Sequence, residues 1–430
     1  MNHSYTADTK WYRLDNAAKI YPAVLSENDS CVFRMSANLQ TNVKPAVLQR
    51  AVADLKTRFP MMYVRLRNGV FWNYYENNEK IPLVKPESCL MNQAIQPYKN
   101  NGYDFTFFYY KNRISLEVFH SLCDGTGAMT FLKAVLFRYF ELLGKVSDSQ
   151  QKVLTVNENP SVGELEDSFG QNFKADAHRS RSKVKHAYQV GGTRFATKNG
   201  TGVIIGKMPA DRFSALAKEN GATVTQYLAA LLTYAIWLSN DNAKQSKKPI
   251  NICIPVNLRK YFNSHSLRNF SLIFHTSTEC AGKPLSFEDI LTKVKKDFAE
   301  ELTVERLQGM LNANVSIEKV LAPFPLFIKK IGIRIGTMLL GDKIKTCTIS
   351  NLGKVDLPDA MNDKIKDFEF CLPVGNGSTH SVSVATYNNR MSVTFTRRMY
   401  ETELEQTFFR LLANRNIPIE IQSNLIEQYS

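Results

Sequence analysis

A polar stretch at residues 147–201 divides the sequence into two segments that both mix strand-like and helix-like patterns. The stretch is rich in Ser, Asn, Gly and charged residues and has no sustained hydrophobic period, which is typical of a connection between lobes. The chain has 430 residues, whereas a single hydrophobic core stops growing at about 250 to 300 residues. We therefore expect a first lobe at 1–146, a crossover at 147–201 and a second lobe at 202–430.

Neither segment alternates strands and helices strictly. In the first, residues 113–119 alternate as a strand does, and a strongly apolar helix follows at about 129–143. In the second, the pattern predicts a buried helix at 224–240 and a strand hairpin at 380–398. Because these elements form no βαβ series, the sequence predicts an α+β fold of two similar lobes, each a mixed sheet with flanking helices.

The composition excludes disordered, collagenous and disulfide-scaffold proteins. Hydrophobic residues make up 44% of the chain and charged residues 22%, as in an ordinary globular protein. The 54 Lys and Arg residues against 40 Asp and Glu residues leave a net charge of +14, which favours acidic partners such as phosphorylated cofactors, anionic lipid or nucleic acid. The basic clusters near 178–186 and 329–334 lack an RNA-binding sheet signature, so no nucleic-acid partner is expected.

The sequence contains no motif for a metal-binding or redox-active site. The seven cysteines lie far apart, without a CxxC pair or a Cys/His spacing that could close a zinc site, so we expect reduced thiols and no metal. No dinucleotide, P-loop or serine-hydrolase fingerprint is present. The N-terminus is polar and lacks the apolar core of a secretory signal, which predicts a cytoplasmic location.

The run HSLCDG, which begins at His120 and ends at Gly125, has the most chemical content. It places a histidine at the end of the predicted strand and an Asp-Gly turn, Asp124 and Gly125, four residues later. Histidine has an ordinary pKa of about 6.5, which suits a general base at neutral pH, and a nearby carboxylate can fix the loop and the imidazole. A buried histidine beside an ordinary Asp-Gly turn is the alternative interpretation.

This run resembles the defining motif of the CoA-dependent acyltransferase superfamily, which includes chloramphenicol acetyltransferase, peptide-synthetase condensation domains, plant BAHD enzymes and bacterial alcohol acetyltransferases. Three further stretches are similar to the stand-alone alcohol acetyltransferases. They are LDNAAKIYPAV at 14–24, IPVNLRKYFNSHSLRNFS at 254–271 and TISNLGKVDLP at 348–358. The resemblance thus extends over nearly the whole chain.

The resemblance implies a V-shaped molecule with an active-site channel between its lobes, entered by acyl-CoA from one side and by the acceptor from the other. It makes His120 the general base, Asp124 the structural acid and Gly125 a residue that lines the channel. The family's acid commonly pairs with an arginine of the second lobe, and Arg259 stands at the matching position. We therefore expect an ion pair between Asp124 and Arg259, although a solvated arginine at a strand end is the alternative.

Acyl transfer develops negative charge on the thioester oxygen, so hydrogen-bond donors are needed there. The resemblance places Ser350 and Asn351 on the far wall of the channel, and both are candidates for this oxyanion role. Alternatively, Asn351 and Gly353 only shape a turn.

Two departures narrow the function that the resemblance implies. Many condensation domains have a second histidine directly before the first, whereas this chain has Phe119. The DFGWG motif of the plant enzymes is absent, and we expect no fused carrier-protein domain. The expected activity is therefore transfer of an acetyl or other acyl group from free acyl-CoA, as co-substrate rather than bound cofactor, to an alcohol. An amine acceptor, a carrier-bound thioester and a catalytically silent binding module of the same fold stay open.

Residues 323–341 form a basic amphipathic stretch. They are too highly charged for a membrane span, because Lys329, Lys330 and Arg334 interrupt them. Two interpretations stay open: a helix that covers the channel mouth, or a peripheral contact with a membrane.

Overall fold

The structure is a computed structural model that describes residues 11–26, 29–88, 91–180, 184–195, 201–282, 284–337, 343–375 and 377–424. Its helices are α1 (Tyr21–Val24), α2 (Pro45–Asp54), α3 (Gly125–Leu142), α4 (Val162–Leu165), α5 (Ser168–Gln171), α6 (Ala210–Glu219), α7 (Val224–Ser239), α8 (Asp241–Gln245), α9 (Arg259–Phe262), α10 (Phe287–Glu301), α11 (Val304–Leu321), α12 (Leu326–Gly336) and α13 (Glu403–Ala413). Its strands are β1 (Trp11–Arg13), β2 (Val32–Leu39), β3 (Val64–Asn68), β4 (Asn73–Asn77), β5 (Val84–Pro86), β6 (Phe105–Tyr110), β7 (Arg113–Phe119), β8 (Gly202–Pro209), β9 (Ile250–Asn257), β10 (Ser271–Thr278), β11 (Cys347–Lys354), β12 (Ile365–Cys371), β13 (His380–Tyr387), β14 (Arg390–Arg397) and β15 (Glu420–Ser423).

Two large sheets organise the molecule. The five-stranded sheet of the first lobe has the order β12-β2-β7-β6-β5, and the seven-stranded sheet of the second has the order β10-β9-β11-β13-β14-β8-β15. Both sheets contain parallel and antiparallel pairs. A small antiparallel sheet, β1-β4-β3, comes from the first part of the chain. The predicted α+β fold with two sheet-rich lobes is confirmed.

The first lobe packs helices on its sheet. Helix α3 buries large apolar side chains, among them Phe131 and Leu132, in the core that this lobe forms. Strands β6 and β7 pair as a hairpin across a turn in which Lys111 has a φ of 48°. Strand β7 ends at Phe119, so His120 stands at a strand end as predicted.

The second lobe has α7 at the centre of its own core. Thr223 caps the start of the helix, because its side chain accepts from the backbone N–H of Gln226 in a capping box. Residues such as Leu228 and Leu231 are completely buried against the sheet and against α10. Within the described residues, no single helix is long and apolar enough to cross a membrane, and α6 and α7 reach that limit only as a pair bent by 82°.

Strand β12 joins the two lobes, because it follows most of the second lobe in sequence but pairs with β2 of the first. It also packs on β13 and β14 of the other sheet. The lobe limits predicted from the sequence, 1–146 and 202–430, follow chain order and therefore did not assign β12 to the sheet of the first lobe. Those limits stay a prediction.

A buried ion pair fixes β12 against the second lobe. The ammonium of Lys207 on β8 lies 2.9 Å from an Asp367 oxygen and 2.7 Å from a Glu369 oxygen. All three side chains are about 4% exposed. Buried carboxylates are costly without a partner, so this contact holds the lobes in one relative position.

Candidate active site

His120 lies where the two lobes meet. Its backbone N–H donates to the carbonyl of Cys31 at 2.8 Å, which holds the end of β7 in place. The imidazole stacks on Tyr21 with ring centroids 4.4 Å apart, and Phe33 meets it edge-on at 5.0 Å. Burial lowers the pKa of His120 below its ordinary value of 6.5. The ring is therefore neutral at pH 7 and able to accept a proton.

The side chain of Asn269 fixes which imidazole nitrogen carries the proton. Nδ1 of His120 lies 3.1 Å from Oδ1 of Asn269, and the amide nitrogen of Asn269 donates to Asp15 at 3.3 Å and to the carbonyl of Ser121 at 3.5 Å. A backbone carbonyl can only accept, so the amide oxygen faces the histidine and Nδ1 must be the donor. Nε2 then carries the lone pair that can accept a proton.

Asp15 in turn positions Asn269. Its carboxylate is completely buried and accepts from the backbone N–H of Ala18 at 2.7 Å and of Asn269 at 3.3 Å. Burial raises the pKa of Asp15, and the guanidinium of Arg268, 3.7 Å away, opposes that rise. Sequence reasoning missed both Asp15 and Asn269. Their signal was present, because each lies in a stretch that carries the family resemblance.

Asp124 uses both carboxylate oxygens to connect the lobes. Oδ1 accepts from the backbone N–H groups of Thr126 and Gly127, each at 3.1 Å, and so caps α3. Oδ2 accepts from Nη1 of Arg259 at 2.8 Å and from the backbone N–H of Phe270 at 3.0 Å. The expected ion pair between Asp124 and Arg259 is present, and the two side chains are only 6% and 10% exposed.

Arg259 is anchored on all sides rather than solvated. Nη2 donates to the carbonyl of Arg268 at 2.6 Å and to Asp124 at 3.2 Å, and Nε donates to the carbonyl of Ser266 at 2.7 Å. The guanidinium thereby holds the loop between β9 and β10 against the start of α3. These contacts give Asp124 and Arg259 a structural role in the site.

Two glycines allow this close contact between the lobes. A Cβ at Gly125 would lie 2.9 Å from the Leu352 side chain on β11, so the residue borders the second lobe. That Gly125 lines a channel stays a prediction. A Cβ at Gly127 would lie 2.0 Å from the carbonyl oxygen of Leu267, a distance that no side chain tolerates. Sequence reasoning missed Gly127, although the second glycine of DGTGA was a visible signal.

Ser350 faces the first lobe. It pairs in register with Ser383 on the neighbouring strand β13, and paired residues lie on the same face of a sheet. Ser383 donates to the carbonyl of Phe370 on β12, which identifies that face as the one toward the first lobe. The hydroxyl of Ser350 is thus on the side of the sheet that faces β12 of the first lobe.

Asn351 points to the opposite face. Its amide nitrogen donates to the Thr225 hydroxyl on α7 at 3.1 Å, and its amide oxygen accepts from the backbone N–H of Gly353 at 2.8 Å. Gly353 has a φ of 75°, a left-handed conformation that glycine adopts without strain. These contacts favour the turn-shaping role that the sequence analysis left open for Asn351.

The cysteines take no visible part in the site. The described ones are free and buried, whereas Cys89 lies outside the described residues. Burial raises the pKa of the Cys123 thiol, three residues after His120, well above its ordinary value. Within the described part of the chain, no group of three or more His, Cys, Asp and Glu side chains could hold a metal ion.

The substitution Asp124→Asn tests the connection between the lobes. It leaves the Arg259 guanidinium buried without a charge partner, so we expect the free energy of unfolding to fall by about 3 to 5 kcal/mol. Chemical denaturation of wild type and variant measures the loss. Asp148→Asn, at an exposed turn-capping aspartate, is the matched control. Equal denaturation midpoints for Asp124→Asn and wild type would show that the pair carries no stability.

Comparisons with known proteins identify the fold. No protein-family model and no curated protein matches the sequence, whereas many solved structures match the fold. One is TRI101 of F. sporotrichioides complexed with coenzyme A and T-2, which is 10% identical with a TM-score of 0.63 and covers 96% of this chain and 100% of that one.

Two further structures extend the comparison. The trichothecene 15-O-acetyltransferase TRI3 of Fusarium sporotrichioides is 10% identical, with a TM-score of 0.59 and coverage of 96% of each chain. The first condensation domain of the CDA synthetase is 14% identical, with a TM-score of 0.56 and coverage of 95% of this chain and 96% of that one. At these identities the likeness establishes architecture only: the chain has the two-lobed fold of CoA-dependent acyltransferases and condensation domains.

Proposed function

We propose that the protein transfers an acyl group from acyl-CoA to a hydroxyl acceptor, with His120 as the general base. The observation that carries the proposal is the contact of His120 Nδ1 with Oδ1 of Asn269, which leaves Nε2 as the nitrogen that can accept a proton. Burial, which lowers the pKa of the imidazole, adds support. The fold adds support, because TRI3 is named as an O-acetyltransferase and TRI101 was solved with coenzyme A.

The proposed reaction is a direct transfer. Nε2 of His120 takes the proton of the acceptor hydroxyl while its oxygen attacks the thioester carbonyl. The new C–O bond forms, the C–S bond breaks, and the imidazolium returns the proton to the sulfur of CoA. A covalent intermediate on the neighbouring Cys123 has no support, because that thiol is completely buried and its pKa is raised.

Asp124 serves this reaction indirectly. By accepting from the backbone N–H of Phe270, it fixes the residue next to Asn269. Asn269 then stays within hydrogen-bond distance of His120 although the two residues belong to different lobes. In this proposal, the acid of the HSLCDG run keeps the general base in its active tautomer without touching the substrate.

Ser350 is the proposed oxyanion donor. Its hydroxyl is on the face of β11 that looks toward the first lobe, two residues before the Leu352 that contacts Gly125. A hydroxyl in that place suits the negative charge that develops on the thioester oxygen.

The identity of the donor and acceptor stays open within the proposal. An alcohol and free acyl-CoA are favoured, because Phe119 stands where many condensation domains have a second histidine. The proposal also keeps the expected cytoplasmic location. An amine acceptor or a carrier-bound thioester would use the same His120. A catalytically silent module of this fold would use neither.

His120→Ala tests the central claim. We expect the rate of acceptor-dependent CoA release to fall roughly a hundred- to ten-thousandfold, because the proton acceptor is lost. A thiol reagent measures the release from acetyl-CoA and longer acyl-CoAs, with a panel of alcohols and amines. An unchanged melting temperature will show that the fold is kept.

His178→Ala is the control, because His178 is exposed. Near-wild-type release by His120→Ala would remove this residue from the mechanism. If wild type releases no CoA from any acyl-CoA, a carrier-bound thioester is the next donor to test, and failure there would favour the silent module.

Asn269→Ala tests the fixed tautomer. We expect kcat to fall about a hundredfold with little change in KM, because the imidazole loses its orientation. The wild-type rate should fall on the acid side with a midpoint below pH 6.5, since protonated His120 cannot act as a base. The hydrogen bond to Asn269 raises the pKa of His120, so its removal should move that midpoint to lower pH. An unmoved midpoint would mean that Asn269 acts only on the fold.

Ser350→Ala tests the oxyanion role. We expect kcat to fall about a hundred- to a thousandfold, as when one oxyanion donor is removed. Thr348→Ala, two residues earlier on the same face of β11, is the matched control. Equal rates for the two variants would assign the oxyanion role to another group.

A further inference from the structure

Helix α12 turns its apolar side to solvent. Phe327, Ile331 and Ile335 recur at helical spacing and are 64%, 57% and 49% exposed, and Ile328 lies beside them at 44%. A helix on a globular protein ordinarily packs such a side into the core. This one leaves it uncovered.

The buried side of α12 holds the helix in this orientation. Lys329 is 2% exposed, and its ammonium donates to the carbonyls of Phe71 and Ala322, each at 3.0 Å. The same ammonium lies 3.5 Å from the centre of the Trp72 ring. Burying a lysine requires such partners, so the outward direction of the apolar side chains is built into the packing.

Neighbouring elements extend this apolar surface. At the end of α11, Ile317 and Val320 are 37% and 69% exposed and lie in the wall of a surface cavity of about 470 Å³, with Arg179 beside them. The turn before β4 adds Val70, whose carbonyl accepts from the backbone N–H of Leu326. We call the exposed side chains together the apolar face: Val70, Phe71, Ile317, Val320, Phe324, Phe327, Ile328, Ile331 and Ile335.

Basic residues predominate around the apolar face. Residues 317–337 contain Lys319, Lys329, Lys330 and Arg334 against a single acidic residue, Glu318, which pairs with Lys19. Lys330 and Arg334 lie one turn apart along one border of the exposed side of α12. Apolar side chains bordered by cations match the interface of a membrane that contains anionic lipid.

The orientation of α12 favours the membrane contact over the channel cover among the two interpretations of the stretch 323–341. A helix that covers a channel mouth would direct its apolar side chains inward, whereas Phe327 and Ile331 point outward. Residues 338–341 of the stretch lie outside the described residues.

We infer that the apolar face docks on an anionic membrane surface and that the acceptor is a lipophilic alcohol taken from that surface. Helix α12 packs on α1, where Nε of Arg334 donates to the carbonyl of Ala23 at 2.7 Å. Tyr21, at the start of α1, stacks on His120. The docking surface is therefore separated from the imidazole by one short helix. The acceptor class rests on the proposed function, whereas the docking does not.

Vesicle flotation tests the docking directly. At low salt, wild type should float with vesicles that contain phosphatidylglycerol and much less with pure phosphatidylcholine, and 0.5 M salt should weaken the binding. The double variant Phe327→Gln/Ile331→Gln should bind roughly tenfold more weakly, because it removes apolar area that would enter the interface. Both positions are exposed, so the melting temperature should not change.

Ile81→Gln/Ile421→Gln is the matched control, since these isoleucines are 63% and 52% exposed in other parts of the fold. Absence of wild-type binding at low salt, or equal loss in both double variants, would overturn the docking. The docking would also be overturned if wild type binds no vesicles but dimerises with increasing concentration, and Phe327→Gln/Ile331→Gln abolishes the dimer. The apolar face would then be an interface with a second copy of the chain.

An activity measurement separates the docking from the reaction. With vesicle-borne 1-hexadecanol, Phe327→Gln/Ile331→Gln should release CoA roughly tenfold more slowly than wild type, and with dissolved 1-butanol at the same rate. Equal effects on both alcohols would overturn the lipophilic acceptor. If wild type binds vesicles but releases no CoA with either alcohol as acceptor, the lipophilic-alcohol acceptor is overturned and the proposed function is weakened. The docking would stand.

Discussion

The carboxylate of Asp124 is the contact on which the arrangement of the site depends. One oxygen caps α3 of the first lobe, and the other accepts from the guanidinium and the backbone of the second lobe. The Asp124 carboxylate is stable when buried because it accepts from several donors, whereas burying the carboxylate or the Arg259 guanidinium without the other would cost free energy. Gly127 makes the contact feasible, because its missing Cβ lets α3 approach the carbonyl of Leu267. The position of His120 relative to Asn269 therefore depends on how the lobes fit together.

Local patterns predicted most of the elements but not how they associate. The alternation before His120 and the apolar run after it are properties of neighbouring residues, so the strand end and α3 could be predicted from the sequence. The pair of Asp124 and Arg259 is separated by 135 residues, and only the family resemblance indicated it. Strand β12 had no comparable signal, because its pairing with β2 depends on the tertiary fit of both lobes.

Ser350 and Asn351 illustrate a limit of sequence reasoning within a single strand. Adjacent residues of a strand point to opposite faces, and the sequence does not say which face looks toward the first lobe. The register with β13 decides it, since Ser383 beside Ser350 contacts β12 while Asn351 bonds to α7. Asn269 was missed for a related reason: an asparagine in a loop has no period, and its importance lies in the hydrogen bond to His120.

The orientation of α12 follows from a charge rather than from its apolar residues. Composition alone would let the apolar side pack inward, and the sequence left both directions open. Burial of Lys329 against two carbonyls and the Trp72 ring selects one of them, because rotating the helix would break these contacts and leave the ammonium unpaired. Keeping the apolar side chains of α12 in contact with water costs free energy. A surface of lipid would cover that apolar side, while Arg334 keeps the helix attached to the α1 segment that stacks on the imidazole.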